Sequence, residues 1–275
     1  MTGKNFSIEV IKAFEPRGKF KSALFDFDGT ISLIREGWQQ IMKPYFAEVL
    51  EQTPGAGSRT ETEACVHDFV DFLTGKQTIY QCMQLAEEVR LRGGKPEDPQ
   101  AYKDEYHRRL SERIAYRIKG LNDGTMKPKD LVVPGSFELL EGLRDRGITV
   151  YLASGTDENY VLEEARLLGV TDYCNGGIYG AQKDFKLFSK KMIVNRIIET
   201  HGLHGYELAG FGDGYVEIEN VKEADGFAAG VASDEVNRRG VDEWKRGRLV
   251  KAGADVIIPD YSDTKQLLDY LFPKG

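Results

Sequence analysis

The sequence predicts an α/β protein in which a mostly parallel sheet carries helices on both faces and an all-helical segment is inserted. From about Leu131 onward, strand and helix patterns alternate, and alternating elements of this length form parallel sheets covered on both faces. The long segment before Leu131 has amphipathic helical patterns and few β-branched runs, which is typical of a helical domain. We therefore predict an α/β core of residues 1–32 and 131–275 and a helical domain of residues 33–130.

The elements of the core follow in chain order. A short apolar strand runs from Lys21 to Phe25 and leads into acidic residues and a Gly-Thr turn. Gly169 follows a predicted helix, at the position where a left-handed residue often ends helices. The other predicted elements are helices over 137–145, 157–168 and about 190–200, and strands over 148–153, 206–211, 226–231 and 255–258. In sheets of this kind, functional residues gather at the carboxyl ends of the strands.

Composition and charge limit the possible functions. The 275-residue chain has a formal net charge of −7, which repels nucleic-acid phosphates at long range, so we expect no nucleic-acid partner. No apolar run approaches the roughly 18–20 residues that span a bilayer, and the N-terminal residues lack the apolar core of a signal peptide. We therefore expect no membrane partner and a cytoplasmic location. The three scattered cysteines and four histidines predict neither disulfides nor a zinc site.

Two acidic residues follow the first buried strand, in the segment FDFDGT. In an extended chain Asp26 and Asp28 point to the same side, because side chains alternate with a period of two. Two carboxylates so close repel each other unless a cation or a shared proton is present. Mg²⁺ prefers oxygen ligands, so the pair predicts a magnesium site, and Gly29 would allow the sharp turn after it.

Two further segments could bind phosphate. Ser154 and Gly155 follow the strand ITVYLA, where a hydroxyl and backbone N–H groups before a helix N-terminus can bind phosphate oxygens. Lys190 begins the helix KKMIVNRIIET and lies on its apolar face. A cation there opposes the helix dipole, so Lys190 is predicted to point inward, with Lys191 and Lys183 as alternatives.

The last segment, GFGDGYVE, follows the strand near Tyr206–Phe211. Asp213 at this strand end could complete a metal site with Asp26. Glu217 could bind a metal-bound water or hold Lys190. The glycines do not match a dinucleotide-binding fingerprint, because a tyrosine occupies the third glycine position.

In this order, the four segments resemble the motifs of the haloacid dehalogenase-like (HAD) superfamily. The resemblance covers residues 22–32 and 131–260, and it implies a Rossmann-like core, a cap domain, Mg²⁺ and a phospho-aspartate intermediate. By this resemblance Asp26 would be the nucleophile and Asp28 the general acid/base. Superfamily dehalogenases and phosphonate-cleaving members lack an aspartate at the position of Asp28, which places this chain with the enzymes that act on phosphate esters.

The resemblance also implies roles for the remaining candidates. The metal ligands would be the carboxylates of Asp26 and Asp213 and the main-chain carbonyl of Asp28, with Glu217 where the family usually has an aspartate. The groups that bind the phosphoryl oxygens would be Ser154, Gly155, Thr30 and Lys190.

We therefore predict a Mg²⁺-dependent phosphatase for a small phosphorylated metabolite, with a sugar phosphate favoured. The alternatives are a sugar phosphomutase of the β-phosphoglucomutase type, a pyrophosphatase, and a catalytically silent binding or regulatory module. The core motifs do not distinguish them, and the oligomeric state stays open. Arg35, close after the catalytic loop, is a candidate substrate contact. The basic run NRRGVDEWKRGR is expected to be a solvated face or turn.

Overall fold

The protein is described by a computed structural model that covers residues 8–273. Within this range, seven strands form one sheet in the order β1-β7-β6-β5-β2-β3-β4. Neighbouring strands are parallel except for β1 and β7, which confirms the predicted mostly parallel sheet. The strands are β1 (Glu9–Val10), β2 (Ser22–Phe25), β3 (Thr149–Asp157), β4 (Gly177–Ala181), β5 (Leu208–Gly212), β6 (Phe227–Val231) and β7 (Val256–Ile258).

After β3 the helices alternate with the strands as the sequence pattern predicts, and five α-helices lie between β2 and β3 in the chain. The α-helices of the described range are α1 (Gln39–Glu51), α2 (Arg59–Leu73), α3 (Thr78–Leu91), α4 (Pro99–Asp123), α5 (Ser136–Arg144), α6 (Glu158–Leu168), α7 (Lys190–His201), α8 (Tyr215–Glu223), α9 (Glu243–Lys251) and α10 (Thr264–Leu271). In residues 8–273, none of these helices is long and apolar enough to span a membrane.

The central strands are buried along their whole length, as expected of a parallel sheet covered on both faces. Phe25 at the end of β2 is opposite Phe211 in β5 and Leu152 in β3. The rings of Phe25 and Phe211 stack with centroids 4.5 Å apart. This register brings the loops after β2, β3 and β5 to one edge of the sheet, and these loops carry most of the predicted site residues.

The described part of the chain forms two compact units, one containing the sheet (residues 8–36 and 120–273) and one formed by residues 37–119. The helical unit has its own core, and its fully buried side chains include Met42, Phe46, Leu50 and Leu85. The sheet unit includes residues 33–36 and 120–130, which the predicted boundaries placed in the helical domain. The function of the helical unit as a cap stays a prediction.

Backbone hydrogen bonds explain why the sheet unit includes the residues beside the insertion. The amide of Leu33 donates to the carbonyl of Leu131 over 2.8 Å, and the amide of Val133 donates to Ile31 over 2.9 Å. The two ends of the insertion are therefore paired at the sheet unit. Within the core, β4 was not predicted, because two of its five residues (GIYGA) are glycines, which weaken a strand pattern.

We expect Gly135→Ala to destabilise the protein more than Gly147→Ala. Both glycines have left-handed backbones, with φ of 81° and 71°, so each alanine costs about 1–2 kcal/mol. A Cβ at Gly135 would also clash with the main-chain carbonyl of Tyr261, whereas a Cβ at Gly147 meets no atom within 4 Å. The clash adds roughly 1–3 kcal/mol. Urea unfolding of both variants measures the difference, and equal losses would contradict this account.

Candidate active site

A buried lysine joins two carboxylates at the carboxyl ends of β2 and β5. The Nζ of Lys190 is 2.6 Å from Oδ1 of Asp26 and forms a second ion pair with Glu217. The three side chains are only 5–8% exposed. Lys190 lies on the inner face of α7 beside buried Ile193, Val194 and Ile197, so it points inward as predicted.

The alternative Lys191 does not reach this cluster. Its ammonium pairs with Glu223 at the surface, where both side chains are more than half exposed. The ion pair with Lys190 is one of the two roles predicted for Glu217. The second carboxylate oxygen of Glu217, Oε2, is buried without a hydrogen-bond partner. A direct contact of Glu217 with a metal stays a prediction.

The environment of Asp26 strongly disfavours its negative charge. Burial raises the pKa of Asp26 from 3.8 to about 7, opposed by Lys190 and reinforced by the nearby carboxylates of Asp213 and Asp28. A carboxyl group in this position tends to keep its proton unless more positive charge is supplied. The site therefore has the electrostatic character of one that binds a cation.

The side chain of Asp28 is held by two hydroxyl groups of β3. Thr156 Oγ1 donates to Asp28 Oδ2 over 2.8 Å, and Ser154 Oγ lies 3.2 Å from the same oxygen. Asp28 Oδ1 is buried and has no hydrogen-bond partner. Thr156 was not among the predicted site residues, although a side chain two residues after Ser154 in a strand points to the same side.

The loops after β2 and β5 are joined through Thr30 and Asp213. The amide of Asp213 donates to Thr30 Oγ1 over 3.0 Å, and Thr30 is fully buried. Gly29 has a φ of 75°, and a Cβ there would clash with the Asp213 carboxylate. These contacts place Asp213 beside the loop after β2, which carries Asp26 and Asp28. The contact of Thr30 with substrate stays a prediction.

Arg35 forms a buried ion pair that the sequence analysis did not predict. Its guanidinium donates to Glu164 with contacts of 2.7–3.2 Å and lies over the ring of Tyr160. Its Nε is also 3.9 Å from Asp28 Oδ1. The sequence could have indicated that Glu164 is buried, because it lies on the same face of α6 as the apolar residues Val161 and Leu168.

The basic run near the C-terminus, residues 237–248, contains one buried lysine. Lys245, a member of this run, is 7% exposed and pairs with Asp213 Oδ2 at 2.8 Å. The expectation of a solvated face is therefore wrong for Lys245. The reason is that Lys245 lies one turn before buried Leu249 on α9, so both side chains point toward the sheet unit.

The predicted metal ligands of this site supply the oxygen atoms that a divalent cation such as Mg²⁺ binds. Among residues 8–273, no group of three or more His, Cys, Asp or Glu side chains is arranged so that it could hold a metal ion. The predicted set needs only two carboxylates, Asp26 and Asp213, with the Asp28 carbonyl, and all three supply the oxygen ligands that Mg²⁺ prefers. Burial raises the pKa of Asp26, and Asp28 Oδ1 is buried without a hydrogen-bond partner; both observations fit a site for a cation.

A family model described as haloacid dehalogenase-like hydrolase matches residues 20–225. The chain therefore belongs to the haloacid dehalogenase-like hydrolases, which confirms the resemblance and the prediction of an enzyme of the hydrolase class. No curated protein sequence matches the chain.

Solved structures share the fold over almost their whole length. A predicted phosphoglycolate phosphatase from Haemophilus somnus 129pt is 15% identical with a TM-score of 0.60, covering 90% of this chain and 98% of that one. A predicted phosphatase from Clostridium acetobutylicum is 18% identical with a TM-score of 0.60, covering 91% and 99%. β-Phosphoglucomutase from Clostridium difficile is 14% identical with a TM-score of 0.54, covering 84% and 98%. Identities this low show a common fold.

Glu164→Leu is expected to lower the free energy of unfolding by about 3–5 kcal/mol, because it leaves the buried Arg35 charge without this partner. Glu163→Leu is the matched control, since Glu163 is the exposed neighbour on the same helix; its effect should stay within about 0.5 kcal/mol. Urea unfolding measures both. A Glu164→Leu variant as stable as the control would show that the pair contributes little.

The pKa of Asp26 predicts a pH dependence of stability in the absence of metal. A carboxyl with a raised folded pKa favours the folded state most below its unfolded pKa of 3.8, and this contribution is lost as the pH rises through about 7. Asp26→Asn removes this titration. The stability of Asp26→Asn relative to wild type, both in EDTA, should therefore increase by a few kcal/mol between pH 4 and pH 8. A difference that is independent of pH would contradict the raised pKa.

Proposed function

We propose that the protein is a Mg²⁺-dependent phosphatase that hydrolyses a small phosphorylated metabolite through a phospho-aspartate on Asp26. The observation that carries this proposal is the buried contact of Lys190 with Asp26, two residues before a second carboxylate, Asp28. A nucleophile, a cation for the phosphoryl oxygens and a proton-transfer group thus lie at one edge of the sheet. Membership of the hydrolase family supports the same chemistry.

The proposed reaction has two displacements. The carboxylate of Asp26 attacks phosphorus, and the bond to the leaving alcohol breaks while Asp28 gives that oxygen a proton. Asp28 then takes a proton from water, the water oxygen attacks phosphorus, and inorganic phosphate leaves Asp26. Asp28 Oδ2 already accepts hydroxyl hydrogen bonds, so Oδ1 is the oxygen available to carry the transferred proton.

Phosphoryl transfer depends mainly on positioning and on neutralising the charge of the equatorial oxygens. Lys190 would supply one positive charge, and Glu217 would fix the direction of its ammonium group. The Ser154 hydroxyl and the Gly155 amide would bind further oxygens. Mg²⁺, held by Asp26, Asp213 and the Asp28 carbonyl, would supply the remaining positive charge. These local groups would offset the net charge of −7, which otherwise repels an anionic substrate.

We propose a sugar phosphate as the first substrate class to test, and a cap function for the helical unit of residues 37–119, because helical insertions in such enzymes exclude water and select substrates. We further propose a cytoplasmic location without nucleic-acid or membrane partners. A phosphomutase is the second candidate, since a solved structure of similar fold is a β-phosphoglucomutase. It would return the phosphoryl group to a sugar hydroxyl instead of water.

Wild-type protein with Mg²⁺ should release inorganic phosphate from at least one compound in a panel of sugar phosphates, nucleotides, phosphoglycolate and pyrophosphate. EDTA and Asp26→Asn should each abolish release, and Asp28→Asn should slow it by about 10²–10⁴-fold. Asp123→Asn is the matched control, because Asp123 begins a second D-G-T sequence but is exposed; it should retain full activity.

The outcomes separate the candidate functions. Release that is equal in wild type and Asp26→Asn would contradict the phosphatase proposal. Conversion of one sugar phosphate into its isomer, dependent on a sugar bisphosphate and without net phosphate release, would favour the phosphomutase.

A further inference from the structure

A second buried lysine, Lys245, pairs with Asp213, the carboxylate predicted to bind the metal. The Nζ of Lys245 is 2.8 Å from Asp213 Oδ2, 2.7 Å from Glu235 Oε1 and 3.2 Å from Ser233 Oγ. An ammonium group has three N–H donors, and these three oxygens can accept all of them. The direction of the Lys245 side chain is therefore fixed.

These oxygens connect the loops that follow three adjacent strands. Asp213 follows β5, whereas Ser233 and Glu235 follow β6. Ser233 Oγ also donates to the carbonyl of Gly29, over 2.7 Å, in the loop after β2. Since β2, β5 and β6 are neighbours in the sheet, Lys245 links Asp213 to the loop that carries Asp26 and Asp28.

Stability alone does not explain this arrangement. Burying an ion pair costs desolvation energy, and well-packed apolar side chains often stabilise such a position equally well or better. The charges of Lys245, Glu235 and Asp213 also sum to one negative charge. Glu235 compensates the charge of Lys245, so Lys245 can hold one oxygen of Asp213 without cancelling the attraction of this carboxylate for a cation.

We propose that Lys245 is a positioning residue for Asp213, anchored by Glu235 and Ser233. It holds Oδ2 of Asp213, so Oδ1 would be the oxygen that binds Mg²⁺. This inference rests on the proposed function for the presence of Mg²⁺. It concerns Lys245, Glu235 and Ser233, which lie outside the proposed catalytic set. Partners that orient metal ligands typically contribute 10–100-fold to metal affinity.

The test is the affinity for Mg²⁺ itself, measured by isothermal titration calorimetry on metal-free protein without substrate. The main variant is Lys245→Met combined with Glu235→Gln, which removes the link and leaves the net charge unchanged. We expect its Mg²⁺ affinity to fall 10–100-fold. Lys222→Met is the matched control, because Lys222 pairs with buried Asp255 at 2.8 Å in the same unit without contacting Asp213. It should bind Mg²⁺ as wild type does.

Ser233→Ala provides a second variant if the double variant does not fold. It keeps the pair of Lys245 with Asp213 but removes the hydrogen bond to Gly29, and we expect a several-fold loss of Mg²⁺ affinity. Wild-type affinity in Ser233→Ala or in a folded double variant would overturn the proposal. So would tighter binding in Lys245→Met alone together with wild-type affinity in the double variant, because Lys245 would then act only as a competing charge.

The result also separates this proposal from the proposed function. Wild-type protein that binds no Mg²⁺ would overturn both. Wild-type protein that binds Mg²⁺, loses affinity in the double variant and hydrolyses no phosphate ester would overturn only the phosphatase, and Lys245 would keep its positioning role.

Discussion

Negative charge buried at the carboxyl ends of β2, β5 and β6 is the constraint on which the site depends. Asp26 and Asp213 come from neighbouring strands, and the parallel register leaves them little freedom to separate. Each carboxylate is paired with a buried lysine, and each lysine is paired with a glutamate as well. The site thus contains two similar clusters, each with one lysine and two carboxylates, so neither lysine neutralises all the negative charge of its cluster.

This balance accounts for the different treatment of the two aspartates in the first loop. Asp26 is almost fully buried and forms an ion pair with Lys190. Asp28 accepts hydrogen bonds from the neutral hydroxyl groups of Ser154 and Thr156 at one carboxylate oxygen, and its other oxygen lies 3.9 Å from Nε of Arg35. Two carboxylates separated by one residue can therefore have separate roles, because different elements surround them.

The parts of the fold and site that depend on local pattern were predictable from the sequence. Buried strands such as β2 and β5 are continuous apolar runs, and Asp26, Asp28 and Asp213 stand where such runs end. Lys190 was found because a cation on the apolar face of a helix has no local reason to be there. Glu164 on α6 and Lys245 on α9 show a related signal, a charged side chain on the same helical face as buried apolar residues. By contrast, Glu235 and Ser233 lie in a loop, and only contacts distant in sequence give them their partners.

The pairing of Leu33 with Leu131 and of Ile31 with Val133 has a consequence for how such chains diversify. It closes the base of the insertion with hydrogen bonds that belong to the sheet unit, so the intervening residues form a loop whose ends are already joined. The entropy of closing a loop grows only slowly with its length. A helical insertion at this point can therefore be lengthened, shortened or exchanged during evolution at little thermodynamic cost to the strands that carry the aspartates.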